Sequence, residues 1–386
     1  MTPLGLLFSL AFLVSVDLRI LGPVLPSIAA SLGATPGSTG LAMTSYSLAY
    51  GSGQLVYGPL SDRLGRIAIV RNAAIAFSVC SIVSALSHTT WQFVTARLLA
   101  GAFAGAVIPL TIVYIGDNYE YAQRQVAIGR FAVVTSAGLA FSASIGGIVA
   151  HLVSWRAMLI AYSVLALVPA GLLFALDEGR PKERADGDHV VRYMDFLSDP
   201  RALLIYALVF AEGFLCWGTV TYLGAFAHRR HGLDQLQIGI LVALFGIGTM
   251  AGGSLIAPLR HRLSENALAG MGGLLMGAAY LVLIPHWPWP VFALSMLMLG
   301  FGFVGLHSTL QLRGTEISPT ARGKAFSLFA FNLFTGIAVG TAVLGWLVDA
   351  GLDDLMLGIS GVGLALVGAA AVRAEPRPSP GRVRTR

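Results

Sequence analysis

Gly58-Pro59-Leu60-Ser61-Asp62-Arg63-Leu64-Gly65-Arg66 is the stretch whose reading decides the fold. Long apolar runs flank it on both sides, yet Asp62, Arg63 and Arg66 all carry charge. Such groups do not lie unpaired in hydrocarbon. The stretch therefore reads as a tight turn at a membrane face, between the end of one spanning helix and the start of the next. Gly58 and Gly65 supply the freedom for close backbone approach or positive φ.

The rest of the chain agrees with that turn. Of 386 residues, 56% are hydrophobic and only 11% are charged, with a mean hydropathy of +0.76. A soluble domain carries about 25% charged residues, so the sequence describes an integral, all-α membrane protein. Apolar runs predict twelve transmembrane helices, at 5–26, 40–59, 67–87, 91–115, 126–150, 155–176, 201–226, 236–258, 266–285, 289–312, 322–347 and 352–372. The polar stretch 177–200 reads as a cytoplasmic linker joining an N-terminal six-helix bundle, 1–176, to a C-terminal one, 201–372. The Pro- and Arg-rich tail, 373–386, is expected to be disordered. The first apolar run has no basic leader and no small-residue cleavage site, so it reads as a retained span.

Placing the N-terminus inside puts Arg63, Arg66, Arg71, Arg124, Arg130, Arg260, Arg262, Arg313, Arg322 and Lys324 at cytoplasmic loops or helix ends. The other face receives Arg156, Arg229 and Arg230. This is the positive-inside asymmetry, which puts both termini in the cytoplasm. It accounts for a net charge of +6 without any nucleic acid. Cys80 and Cys216 fall inside predicted spans, and no phosphate-binding Gly-Lys-Ser/Thr loop is present. No cofactor, no metal and no enzymatic activity are expected. His228 and His231, flanking two arginines in an outer loop, read as solvated surface.

The chain also repeats itself. An offset of 199 carries Pro59-Leu60 onto Pro258-Leu259, Arg63-Leu64 onto Arg262-Leu263 and Gly101 onto Gly300. An offset of 198 carries Arg124, Gly138 and Gly147 onto Arg322, Gly336 and Gly345. Two parallel halves follow from such a pattern.

With its partial second copy, the pattern G-x-x-x-D-R-x-G-R resembles the loop between spans 2 and 3 of the major facilitator superfamily, and the likeness covers residues 4–372. The resemblance implies two pseudo-symmetric six-helix bundles and secondary active transport by alternating access. It further implies a monomer in the bacterial cytoplasmic (inner) membrane, with a small-molecule substrate, protons and the lipid bilayer as its partners. Gly58, Asp62, Arg63, Gly65 and Arg66 would then gate the cytoplasmic side in the outward-facing state. Asp62 would sit against the start of span 11, where the helix dipole favours an anion.

Asp17 with Pro23-x-Leu25-Pro26, and Arg97-x-x-x-Gly101, resemble motifs of the superfamily's drug:proton antiporters. In span 5, Gly138-x-x-x-Ser142-Ala143-x-x-Gly146-Gly147 departs from that group's pattern, with Ser142-Ala143 in place of Gly-Pro. The run Gly300 to Gln311, followed by Arg322-Gly323, resembles an arabinose-efflux-permease-like group, whose name is no evidence for a sugar. The expected function is proton-coupled efflux of a small organic solute, drug-like or sugar-like. A proton symporter or uncoupled facilitator importing a nutrient, and a non-transporting receptor, are the alternatives.

Charges at membrane depth are costly and usually serve a purpose. Asp17 and Glu212 are the candidate proton carriers, with Arg97 biasing Asp17. Asp17 could instead be a fixed structural partner of an arginine. Arg19, two positions after Asp17, points to the other side of its helix. Tyr46, Tyr50 and Gln54 recur on one face of span 2, His307 and Gln311 on one face of span 10, and Asn332 lies in span 11. With Arg19, these are the candidate substrate contacts, helix–helix hydrogen bonding being the alternative for each.

Overall fold

The computed structural model describes residues 2–175, 196, 198–259, 263–318 and 322–373. The expected linker lies almost wholly outside these residues. Arg260, Arg262, the tail beyond Arg373 and the side chain of Asp62 lie outside the description too.

Among the described residues the chain folds into twelve helical rods. They are α1 (Pro3–Ser31), α2 (Pro36–Leu64), α3 (Arg66–Ala85), α4 (Thr90–Asn118), α5 (Tyr121–Leu152) and α6 (Trp155–Ala175). The second set is α7 (Pro200–His231), α8 (Gln235–Leu259), α9 (Glu265–Leu281), α10 (Pro290–Glu316), α11 (Arg322–Asp349) and α12 (Asp353–Arg373). Ten are long and apolar enough to cross a membrane. Of the other two, α2 is diluted by serine, glycine and tyrosine, and α9 has only 17 residues.

Three rods are interrupted. α1 breaks into a tight turn at Gly22–Val24, because Pro23 removes a backbone donor, and resumes at Leu25. α4 is broken between Ala104 and Val107. α7 carries a π-helical turn over Gly213–Trp217. By contrast, α5 runs unbroken for 32 residues, as the missing proline at Ala143 leads one to expect.

The opening stretch needs one correction. Asp62 and Arg63 belong to the last turn of α2, and the reversal into α3 is made by Gly65 alone, at φ 91°. Only glycine adopts that geometry without strain. Gly58 needs no such licence: it is helical, and a Cβ there would meet nothing within 4 Å.

Glycine stripes set the packing. In α5, Gly138, Ser142 and Gly146 lie at successive turns against α1. A Cβ on Gly138 would stand 2.7 Å from the Phe12 carbonyl, and one on Gly146 would stand 2.7 Å from that of Ile20. Between them, the Ser142 hydroxyl donates to the Val16 carbonyl at 2.6 Å. Small residues here hold backbones at contact, the usual basis of helix association in lipid.

Among the described residues the halves meet tightly at one face. Opposite the face where α1 begins, α2 and α11 touch at Gly37 and Gly345, and α5 and α8 touch at Gly147 and Gly239. At mid-depth, Gly51 lies against Phe334 and Gly246 against Ala140. Towards the face bearing the α2–α3 reversal the contacts end. Gly58, Gly129, Gly253 and Gly323, on α2, α5, α8 and α11, have open space where a Cβ would go. The two bundles are closed at one face and splayed at the other.

This packing makes an asymmetric prediction. A Cβ on Gly101 would lie 2.8 Å from the Tyr46 Cα, so Gly101→Leu overpacks the α2–α4 contact at a cost of about 1–3 kcal/mol. Gly116→Ala, placed where nothing lies within 4 Å, should leave stability unchanged. Thermal unfolding in detergent checks the pair; equal melting behaviour of both variants contradicts the packing described.

Candidate functional site

Three polar constellations sit at mid-depth, and they differ in how completely the protein satisfies them. The first lies wholly within the N-terminal bundle. Asp17, on α1, is 1% exposed and Arg97, on α4, is 0% exposed. Arg97 Nη2 donates to Asp17 Oδ2 at 2.7 Å. The Tyr162 hydroxyl, from α6, donates to the other carboxylate oxygen and accepts from Arg97 Nη1 at 3.2 Å. The Tyr46 ring lies under the guanidinium, 4.6 Å from Cζ. Both carboxylate oxygens are bonded and the charge is neutralised. Three helices are thereby pinned together, in the arginine partnership given above as the alternative for Asp17.

The second is in the C-terminal bundle. Glu212 ends the first segment of α7, just before the π-helical turn. It is 0% exposed. One oxygen, Oε2, lies 3.0 Å from His307 Nδ1 on α10; the other, Oε1, has no partner among the described residues. His307 is half-buried and stacks on Phe303 with 4.7 Å between ring centres. π-turns often mark functional positions in helices. Here the turn stands between Glu212 and Trp217 on one rod. Glu212 and His307, expected in different roles, are in contact.

The third bridges the bundles. Arg19 leaves α1 on the side away from Arg97 and stacks its guanidinium on Trp217 of α7, 3.3 Å from the ring centre. Trp217 in turn packs edge-on against Phe245 and Phe303, at 5.2 and 5.1 Å. Among the described residues Arg19 has no ion-pair partner, and its Nε is buried without a hydrogen bond. A rim of rings thus links Arg19, through Trp217 and Phe303, to His307.

The remaining expected contacts separate. Tyr50 packs on Phe334 of α11 at 4.4 Å, joining the halves through aromatic contact. Tyr46 stays under Arg97 with its hydroxyl unpartnered among the described residues. Gln54 is half-buried. Gln311 is exposed one turn beyond His307, towards the splayed face. Asn332 spends its amide on the Leu328 carbonyl of its own helix, at 2.8 Å.

Of the expected gate, Arg66 reaches Asp117 of α4 at 3.1 Å and also bonds Ser61. It fastens the ends of α2, α3 and α4 within one bundle. Arg63 is exposed.

A lock at the far face has no counterpart among the residues expected to gate. Asp349, the last residue of α11, accepts from the Gly37 amide at 2.8 Å and from the Thr35 hydroxyl at 2.5 Å. It caps the N-terminus of α2 across the bundle interface, where an anion is favoured. Because α2 and α11 run antiparallel, this is the arrangement expected of Asp62 and α11, carried out at the opposite end. An acidic residue closing span 11, facing the Thr-Pro start of span 2, was the signal available.

Twelve rods in two bundles, ten of them long and apolar enough to cross a membrane, with charges buried at mid-depth, are the architecture of a multi-pass membrane protein. The Major Facilitator Superfamily model matches residues 7–341, and the chain belongs to that superfamily. It is 27% identical over 357 residues to an uncharacterized MFS-type transporter, YceJ, of Bacillus subtilis, covering 91% of this chain and 90% of that protein. It is 28% identical over 338 residues to a chloramphenicol resistance protein of Streptomyces lividans, covering 84% of this chain and 83% of that protein. Among solved structures, a point mutant of the nucleoside transporter NupG superposes with a TM-score of 0.79, at 13% identity over 96% of this chain and 100% of that one. That likeness concerns the fold.

Two outcomes follow from the geometry. Asp17→Asn or Arg97→Met alone strands one buried charge and should cost about 3–5 kcal/mol, whereas the double variant should cost far less than the sum. Additive losses of melting temperature in detergent would contradict the pairing. Asp349→Asn should loosen the far-face cap; spin labels at Ala30 and Leu352, both exposed, should then report longer distances by pulsed electron resonance. An unchanged distribution argues against a lock there.

Proposed function

We propose that this protein is a proton-coupled secondary transporter that exports a small organic solute from the cytoplasm by alternating access. The observation that carries the reading is the Glu212–His307 pair. It joins a buried carboxylate, half satisfied, to a half-buried imidazole at the inner rim of the bundle interface. An imidazole can both accept and release a proton. A proton on His307 neutralises Glu212, and its loss leaves a net negative charge at mid-depth. Such a change alters the cost of closing the interface over the pair, which is what coupling requires.

Export is supported by the resistance protein among the relatives, and by the antiporter-like motifs at Asp17 and Arg97. The splayed face bears the basic loops, so the positive-inside rule assigns it to the cytoplasm. On that assignment the structure is inward-open, held by the Asp349 cap and by the α2–α11 and α5–α8 glycine contacts. The Gly58–Arg66 segment would take over as the latch once the cytoplasmic ends come together, with Asp62 at the start of α11.

A second reading, proton symport, is favoured by Arg19. An anion beside Arg19 would stabilise a protonated Glu212–His307 pair, since charges interact strongly in a low-dielectric site. Solute and proton would then be held together.

Flux through reconstituted liposomes tests the proposal. With chloramphenicol, an aromatic carboxylate and a nucleoside as solutes, an imposed pH gradient should drive net movement of at least one. Its direction relative to the proton separates antiport from symport. Glu212→Gln and His307→Asn should abolish the gradient-driven part while solute exchange persists. Undiminished gradient dependence in both variants contradicts the assignment.

A further inference from the structure

We propose that the solute is an organic anion, a carboxylate on a largely apolar aromatic body, and that Arg19 is the residue that selects it. The inference rests on the transport reading for its location, but not on the direction of flux. It comes from a charge account of the mid-depth interface. Asp17 is committed to Arg97 and Tyr162. Glu212 is committed to His307. Arg19 has no ion-pair partner among the described residues, and its Nε finds no acceptor there.

Where those donors point is the informative part. Nε is buried, pressed towards the ring system by the stacking on Trp217. The two terminal nitrogens stay accessible, and the residue as a whole is half-buried. Trp217 stabilises the cation and fixes its plane, but cannot satisfy its hydrogen bonds. The result is a pre-oriented guanidinium edge at the junction of the halves, with its Nη atoms free. A carboxylate matches that fork with two parallel charge-assisted hydrogen bonds, which neither an ammonium nor a neutral amide can do.

The remaining surface specifies the body of the solute. Phe245, Phe303 and Phe334 are half-buried around the same interface, and Phe245 and Phe303, 5.7 Å apart, form one three-ring cluster with Trp217. Flat apolar groups pack well against such rings. A cation at this position would meet the uncompensated charge of Arg19 and be disfavoured.

The test uses the purified full-length protein and three probes of one shape: 2-naphthoate, 2-naphthamide and 2-naphthylmethylammonium. Binding is read by thermal shift and by equilibrium dialysis. The carboxylate should bind at least about tenfold tighter than the amide, and the ammonium more weakly still. Arg19→Gln should erase that preference while keeping the affinity for the amide, and Arg19→Lys should keep part of it. A naphthoate preference that survives Arg19→Gln, an equal or stronger affinity for the ammonium, or no binding of naphthoate overturns the proposal. Liposome flux separates this failure from that of the transport reading. Naphthoate bound through Arg19 but never moved refutes transport alone; a pH gradient driving the ammonium while naphthoate is ignored refutes the anion assignment alone.

Discussion

A charge at the middle of a membrane protein must find its counterpart, in the protein or in something the protein handles, because hydrocarbon offers none. Three mid-depth groups here stand at three stages of that requirement. Asp17 is saturated by Arg97 and Tyr162 inside one bundle. Glu212 has one oxygen on His307 and the other unmet among the described residues. Among the described residues Arg19, at the seam of the bundles, has only the face of Trp217. Satisfaction falls along the path from the bundle core to the interface. The roles proposed for them follow the same order, with structural pairing first, proton exchange next and solute recognition last.

The second constraint is steric. Alternating access needs interfaces that hold in one state and part in another without unpacking each bundle. Within the N-terminal bundle, α1 and α5 are kept at contact by Gly138 and Gly146, with Ser142 adding a directed hydrogen bond. Between bundles, the glycine contacts among the described residues run from the far face to mid-depth, on α2–α11, α5–α8 and α1–α7. The Asp349 cap ties that end with a few hydrogen bonds to a helix terminus. An interaction of this size can be exchanged for an equivalent one at the other end of the same helix pair. The antiparallel run of α2 and α11 makes such an exchange geometrically natural.

Much of the fold was legible because its signals are local and strong. Apolar run length gave the spans, and the charged Gly58–Arg66 stretch gave the turn and the family. Even so, the reversal proved to need only Gly65, since Asp62 and Arg63 extend α2 rather than form a loop. The site was half legible. Composition at depth singled out Asp17, Arg19, Arg97, Glu212 and His307. Which of them pair depends on contacts between residues up to 95 positions apart, as for Glu212 and His307, and no spacing rule encodes that. The Asp349 cap escaped for the same reason, at a separation of 312 positions from Gly37. Asn332 shows the converse: a polar residue at a promising position can be spent on its own helix.

The graded account of mid-depth charge is tested most directly by counting protons when solute binds. Weakly buffered, detergent-solubilised protein titrated with 2-naphthoate should show a proton uptake or release, read with a pH indicator. That signal should vanish in Glu212→Gln and survive in the Asp17→Asn, Arg97→Met double variant. A proton count unchanged by Glu212→Gln, or lost when only the Asp17–Arg97 pair is neutralised, would contradict it.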